Sequence, residues 1–296
     1  MCMSVLNKTG VLELVELAVR EDLGGGDVTS DLLGDPHAQV AFRLVAKQQG
    51  VFAGCEVVPA ILQAYPGAIE IDWTDAGKDS AQIKDVPTDL ATLRGPLGAL
   101  LSAERVVLNF LQRLCGIATA TRGFVRRVEG TIAAIYDTRK TIPGWRALDK
   151  YAVRCGGGLN HRDGLSDAVL IKDNHLFGVG TDRLAATVFD MLSRLNPAKD
   201  KPKFIEVEAD SVAQVAELLK VVGIDVILLD NFSVDELQAA VTLRGELGLE
   251  EKVELEASGG ITLETVEAVA RTGVDRISVG AITHSAPSLD LAMDRV

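Results

Sequence analysis

In the second half of the chain, short apolar runs end in polar residues, and most are followed by a stretch with helical spacing. Six runs fit: IAAIYDTRK (132–140), AVLIKDNH (168–175), KFIEVEAD (203–210), DVILLDN (225–231), VELEASGG (253–260) and DRISVGA (275–281). Near-continuous apolar strands alternating with amphipathic helices predict βα units and a parallel sheet covered on its faces, either a barrel or a doubly wound sheet. Ser233 and Glu236 have capping-box spacing at the head of one helix; Thr262 is expected to cap the next, with Gly273 beyond its end.

The barrel is favoured because each strand delivers polar residues at its C-terminal end, where parallel-barrel enzymes build their sites: Arg139 and Lys140, Lys172, Glu208, Asp230, Ser258 with Gly259, then Gly280. Six units fall short of the usual eight, so closure is expected to be irregular. The first third reads differently. Residues 41–54 and 68–77 have strand character around glycine turns and are separated by a helical 55–65, a smaller α+β layer ahead of the barrel. A further helix over 97–116 is expected to stop near Gly116, where the domain boundary is placed.

A net charge of −12 excludes the broad positive field that nucleic acid or an anionic membrane surface requires. The N-terminus lacks a signal-peptide pattern and no apolar run spans a bilayer, so a cytoplasmic protein is expected. Cys2, Cys55, Cys115 and Cys155 are too sparse for a disulfide framework or a metal knuckle and read as reduced packing residues. Against this acidic background, residues 137–175 concentrate Arg, Lys, His and Gly. Arg offers a planar fork to carboxylate or phosphate, Lys a compact charge, and glycine lets backbone N–H groups approach oxygen. Candidate cradles are Gly156 to Gly158, Gly259 with Gly260, and Gly280; His161, His175 and His284 fall in the same kinds of stretch. Glu208 and Asp230, at the ends of successive strands, could hold Mg²⁺, accept from sugar hydroxyls or stabilise positive charge on a sugar ring. The residues thus describe an anion-binding barrel enzyme for a phosphorylated sugar.

The phrases EDLGGGDVTSDLL, ERVVLNFLQRLCGIAT, DTRKTIPG, GGGLNHRDGLSDAVLIKDNH, IEVEAD, LLDN, EASGGI and ISVGAITHS, in that order, resemble the quinolinate phosphoribosyltransferase family, also called nicotinate-nucleotide pyrophosphorylase (carboxylating). The resemblance implies an N-terminal open-faced α+β sandwich over 1–115, joined by the C-terminal tail (282–296), and an irregular parallel α/β barrel over 116–281. It implies a Mg²⁺-dependent transfer of phosphoribosyl from phosphoribosyl pyrophosphate to quinolinate with decarboxylation. It places Arg139, His161 and Arg162 around the quinolinate carboxylates, with Lys172 nearby and Arg105 entering from the partner of a homodimer that could assemble further. Lys140 and Lys172 would face the phosphoribosyl and pyrophosphate groups, and Glu208 and Asp230 the ribose hydroxyls and the metal. Ser258, Gly259, Gly280 and His284 would form the 5′-phosphate cradle. Ile142 and Trp145 depart from the family's common Thr and Leu, which bears on pocket shape but removes no charge. Two rivals stay open, a molybdenum-transport-associated paralogue and a non-catalytic anion binder. The NHR triplet (160–162) and DTRKT run (137–141) weigh against the first, the carboxylates Glu208 and Asp230 against the second.

Overall fold

Residues 4–195 and 201–296 are described by the computed structural model. The chain divides into two compact units: one takes residues up to Arg122 with Lys140–Gly158 and Ile282–Val296, the other Gly123–Arg139 with Leu159–Ala281. Cys2 lies outside the described residues.

In the first unit five strands precede the long helix: β1 (Gln39–Ala46), β2 (Gly50–Val51), β3 (Glu70–Trp73), β4 (Gln82–Ile83) and β5 (Thr88–Pro96). The chain's last strand, Leu291–Arg295, returns to pair antiparallel with β1, giving a sheet in the order Leu291–Arg295, β1, β5, β3, beside a β2–β4 pair. The unit also holds α1 (Val11–Leu23) and α2 (Val57–Leu62); α3 (Leu97–Arg127) begins in it. Gly116 does not end α3, which runs 31 residues. A Cβ at Gly116 would lie 2.0 Å from the Pro287 carbonyl oxygen, so the glycine marks where the C-terminal segment crosses the helix, which composition cannot distinguish from a helix stop. Residues 140–158, placed in the barrel by sequence, group with this unit and form α4 (Arg146–Gly156). Cys115 and Cys155 are buried and Cys55 half-buried, all free. Burial pushes the Cys55 and Cys115 thiols up to about 12, which makes them inert packing groups.

In the second unit, β6 (Ala134–Tyr136), β7 (Val169–Ile171), β8 (Ile205–Ala209), β9 (Val226–Asp230), β10 (Glu254–Ser258) and β11 (Arg276–Ser278) form one all-parallel sheet in the order β6-β11-β10-β9-β8-β7. The first strand pairs with the last and the others with their sequence neighbours, a barrel-like circuit open only between β6 and β7. Leu159 lies along β6 at that seam: its N–H donates to Ile135 O (2.8 Å) and its carbonyl accepts from Asp137 N–H (3.1 Å). The intervening helices include α5 (Thr181–Ser193), α6 (Val212–Leu218), α7 (Val234–Glu246) and α8 (Val266–Ala270). Ser233 and Glu236 do form a reciprocal capping box on α7. The residue preceding α8 is Thr265, not Thr262, because a turn over 263–265 separates Thr262 from the helix. Among the described residues no helix is long and apolar enough to cross a membrane.

Candidate active site

The C-terminal ends of the parallel strands gather the predicted chemistry of the second unit onto one rim. Asp137, just past β6, is fully buried. Its Oδ1 accepts the His161 N–H (2.9 Å) and its Oδ2 the Asn160 amide (2.6 Å), which fixes the NHR triplet against the strand end. Arg162 follows, 7% exposed, with one guanidinium nitrogen 3.4 Å from the Ala168 carbonyl. Burial, then the neighbouring Arg139 charge, push its guanidinium below the usual range. Arg139 Nε is itself buried and has no hydrogen-bond partner among the described residues. A buried guanidinium repelled by a half-buried neighbour whose Nε donor is unsatisfied has the chemistry to receive a carboxylate-bearing anion.

His161 sits behind this pair. Its Nδ1 accepts the Arg162 backbone N–H (2.9 Å), and its Nε2 lies 3.0 Å from Glu206 and 3.4 Å from Glu256. Both glutamates are fully buried. An Nδ1 that accepts leaves the ring proton on Nε2, which faces the carboxylate pair. Burial, then the Glu256 charge, raise the Glu206 pKa, which favours its protonated form. The three side chains could form a metal cage by spacing alone, but the Nε2 proton already fills the position a cation would take. His161 therefore holds the Arg162 backbone through Nδ1 and turns Nε2 toward the two glutamates.

Glu206 and Glu256 were missed by sequence reasoning. Their signal was there: Glu206 shares a strand face with Glu208, and Glu256 with Ser258, so each places a polar group inward one pleat below a rim residue.

Lys172 follows β7 and pairs with Glu208 at the end of β8, Nζ to Oε2 2.7 Å. On β9 and β10, Asp230 and Ser258 stand opposite each other in register. Asp230 Oδ2 accepts from the Asn231 side chain (2.9 Å), and the Asn231 N–H donates to Ser258 O (2.8 Å). Gly259 has φ +92°, and a Cβ there would meet Asn231 Oδ1 at 2.1 Å, so only glycine keeps this backbone turn open. Gly280 lies two residues past β11.

Arg105, Lys140 and His284 belong to the first unit. Arg105 is exposed on α3 and lines a hollow of about 300 Å³ with Asp22, Asp27 and Ser102. The Lys140 side chain is exposed, and its carbonyl accepts from the Thr283 hydroxyl (2.8 Å). His284 Nδ1 contacts Ser285 Oγ at 2.5 Å. Ile142 is exposed, whereas Trp145 packs on Phe110 with ring centroids 4.7 Å apart.

Parallel strands in barrel order, a guanidinium pair with one member buried, a Lys–carboxylate rim and a glycine turn define an α/β-barrel enzyme acting on multiply charged anions. Comparison with known proteins gives the family. Residues 27–115 match the quinolinate phosphoribosyl transferase N-terminal domain, and residues 117–294 match its C-terminal domain. The chain is 40% identical over 283 residues to the nicotinate-nucleotide pyrophosphorylase (carboxylating) of Mycobacterium leprae, covering 95% of this chain and 96% of that protein. It is 35% identical to quinolinate phosphoribosyltransferase (decarboxylating) 1b of Nicotiana tabacum, covering 95% and 81%. The solved structure of the Francisella tularensis nicotinate-nucleotide pyrophosphorylase superposes with a TM-score of 0.85 at 33% identity over the full length of both chains. The chain belongs to the quinolinate phosphoribosyl transferase family.

Proposed function

We propose that this chain transfers phosphoribosyl from phosphoribosyl pyrophosphate to quinolinate, releasing pyrophosphate and carbon dioxide and forming nicotinate mononucleotide for NAD synthesis. The Arg139–Arg162 pair carries this reading: a buried guanidinium beside a half-buried one with an unsatisfied Nε donor, the two in mutual repulsion, suits a small dicarboxylate. As pyrophosphate leaves the ribose C1, positive charge develops on the sugar, and Glu208 and Asp230 stabilise it from adjacent strand ends. Lys172, paired with Glu208 in the absence of substrate, exchanges that partner for phosphate oxygens, and Lys140 adds a second charge. The pyridine nitrogen attacks C1 and becomes cationic. It then accommodates the electron pair left at C2 when the 2-carboxylate departs as carbon dioxide, and C2 takes up a proton. Holding the ring nitrogen against C1 is the protein's main contribution. Ser258, Gly259, Gly280 and His284 take the 5′-phosphate.

Mg²⁺ fits the donors present. Lys172 engages Oε2 of Glu208 and Asn231 engages Oδ2 of Asp230, which leaves the other oxygen of each carboxylate for a hard cation that also binds phosphate. When bound, the ion neutralises charge on the departing pyrophosphate. We place the enzyme in the cytoplasm, as its free thiols suit, and as a homodimer in which Arg105 of each subunit serves the other's site. Consistent with that role, Arg105 is exposed on α3. Following pyrophosphate tests the proposal: release is expected only with both substrates, is lost on chelation and is restored by Mg²⁺. Release without quinolinate, or activity indifferent to chelation, contradicts it.

A further inference from the structure

Nothing in the rim chemistry accounts for a buried polar chain in the first unit that ties α3 to the segments carrying Lys140 and His284. Arg113, on α3, grips the fully buried Asp149 of α4 with Nε (3.1 Å) and Nη2 (2.9 Å to each carboxylate oxygen). The same Nη2 donates to the Thr283 carbonyl (3.3 Å). The Thr283 side chain, also fully buried, donates through Oγ1 to the Lys140 carbonyl (2.8 Å). Trp145, the residue preceding α4, lies beneath the guanidinium, 5.5 Å from ring centroid to Arg113 Cζ, and is backed by Phe110. The unexpected Trp at 145 thus forms a floor for Arg113.

The chain continues beyond His284. The Leu289 N–H donates to Gln112 O (2.9 Å), the Gln112 amide donates to Leu291 O (3.1 Å), and the absent Cβ of Gly116 admits Pro287. The C-terminal segment is therefore fastened along one face of α3 from residue 112 to residue 116, and Thr283, next to His284, is the point where it also grips Lys140. A bidentate Arg–carboxylate pair has the fixed geometry such an anchor needs.

We propose that Thr283, held by the Arg113–Asp149 pair, is a positioning residue that sets Lys140 and His284 at the spacing needed to bind phosphoribosyl pyrophosphate. This rests on the functional reading above, in which those two residues contact phosphate groups. Thr283 touches no substrate in this account. It acts through the backbone of one ligand and by being the neighbour of the other.

The test is steady-state kinetics on the full chain with each substrate varied in turn, for the parent and for Thr283→Val, Thr283→Ser and Arg113→Lys. Thr283→Val removes the buried donor with little change of shape. The KM for phosphoribosyl pyrophosphate is expected to rise about tenfold, the scale of one buried hydrogen bond, while the KM for quinolinate stays within about twofold. Thr283→Ser restores the parent value because it restores the hydroxyl. Arg113→Lys, which keeps the charge but loses the fork, shows the same selective rise and provides the measurement if Thr283→Val does not fold. A structural role alone would lower thermal stability without separating the two KM values, and that outcome overturns the proposal. An unchanged KM for phosphoribosyl pyrophosphate in a folded Thr283→Val or Arg113→Lys overturns it too. Failure of the parent to turn over phosphoribosyl pyrophosphate with quinolinate would overturn the functional reading and this proposal with it; normal parent turnover with insensitive variants overturns this proposal alone.

Discussion

Replacing quinolinate by nicotinate is expected to lower kcat/KM by a factor on the order of 10⁴, the discrimination reached when a site built around a polar group meets an analogue that lacks it. The two acids differ by one carboxylate at ring position 2. Arg162 is 7% exposed, and Arg139 has a buried Nε without a partner among the described residues. With nicotinate these donors lose an acceptor that water cannot easily replace, and the guanidiniums keep their mutual repulsion. The fully buried Glu206 and Glu256 do not compensate, because His161 stands between them and the Arg162 backbone. Arg139→Lys checks the source of the effect. The ammonium keeps the charge and loses the two-pronged geometry, so quinolinate affinity is expected to fall by roughly tenfold or more. Comparable use of both acids by the parent would remove the dicarboxylate role from the Arg pair.

Mixing two nearly inactive variants, Arg105→Ala and Lys140→Ala, is expected to restore about a quarter of the parent's activity per site. The gain follows from two-fold symmetry. When subunits exchange freely at equal amounts, about half of the dimers are mixed, and in each mixed dimer one site combines both lesions while the other has neither. The outcome depends on Arg105 acting on the partner's site and Lys140 on its own. The alternative is an Arg105 that packs its stem on its own unit and serves the hollow formed with Asp22 and Asp27. Mass-tagged subunits establish exchange and light scattering establishes the dimer. Activity no higher than that of the two separate variants, with exchange demonstrated, would place Arg105 in its own subunit's site or outside it.

The rim was legible in the sequence because parallel strands repeat a simple rule: an apolar run buried on both faces, then a polar residue where the strand meets its loop. Lys172, Glu208, Asp230 and Ser258 lie at or next to strand ends for that reason, and Ser233 with Glu236 caps α7 as the spacing requires. Features that depend on contacts between distant segments were not legible. Gly116 read as a helix stop because nothing local reveals that Pro287 crosses there. Residues 140–158 read as part of the barrel because they sit between two barrel strands in sequence, yet Asp149 and Trp145 are held by Arg113 and Phe110 in the other unit. The surroundings of His161 were not legible either: its ring nitrogens face the Arg162 backbone and two buried glutamates, which lie 45 and 95 residues away in sequence.

The most direct test of the central claim is to supply quinolinate labelled in its 2-carboxylate together with phosphoribosyl pyrophosphate and Mg²⁺, and to count labelled carbon dioxide against pyrophosphate. One labelled carbon dioxide for each pyrophosphate, with no label left in the nucleotide, is the predicted result, because attack by the ring nitrogen is what makes the adjacent carboxylate a leaving group. Pyrophosphate released without labelled carbon dioxide, or a nucleotide that retains the label, would contradict it.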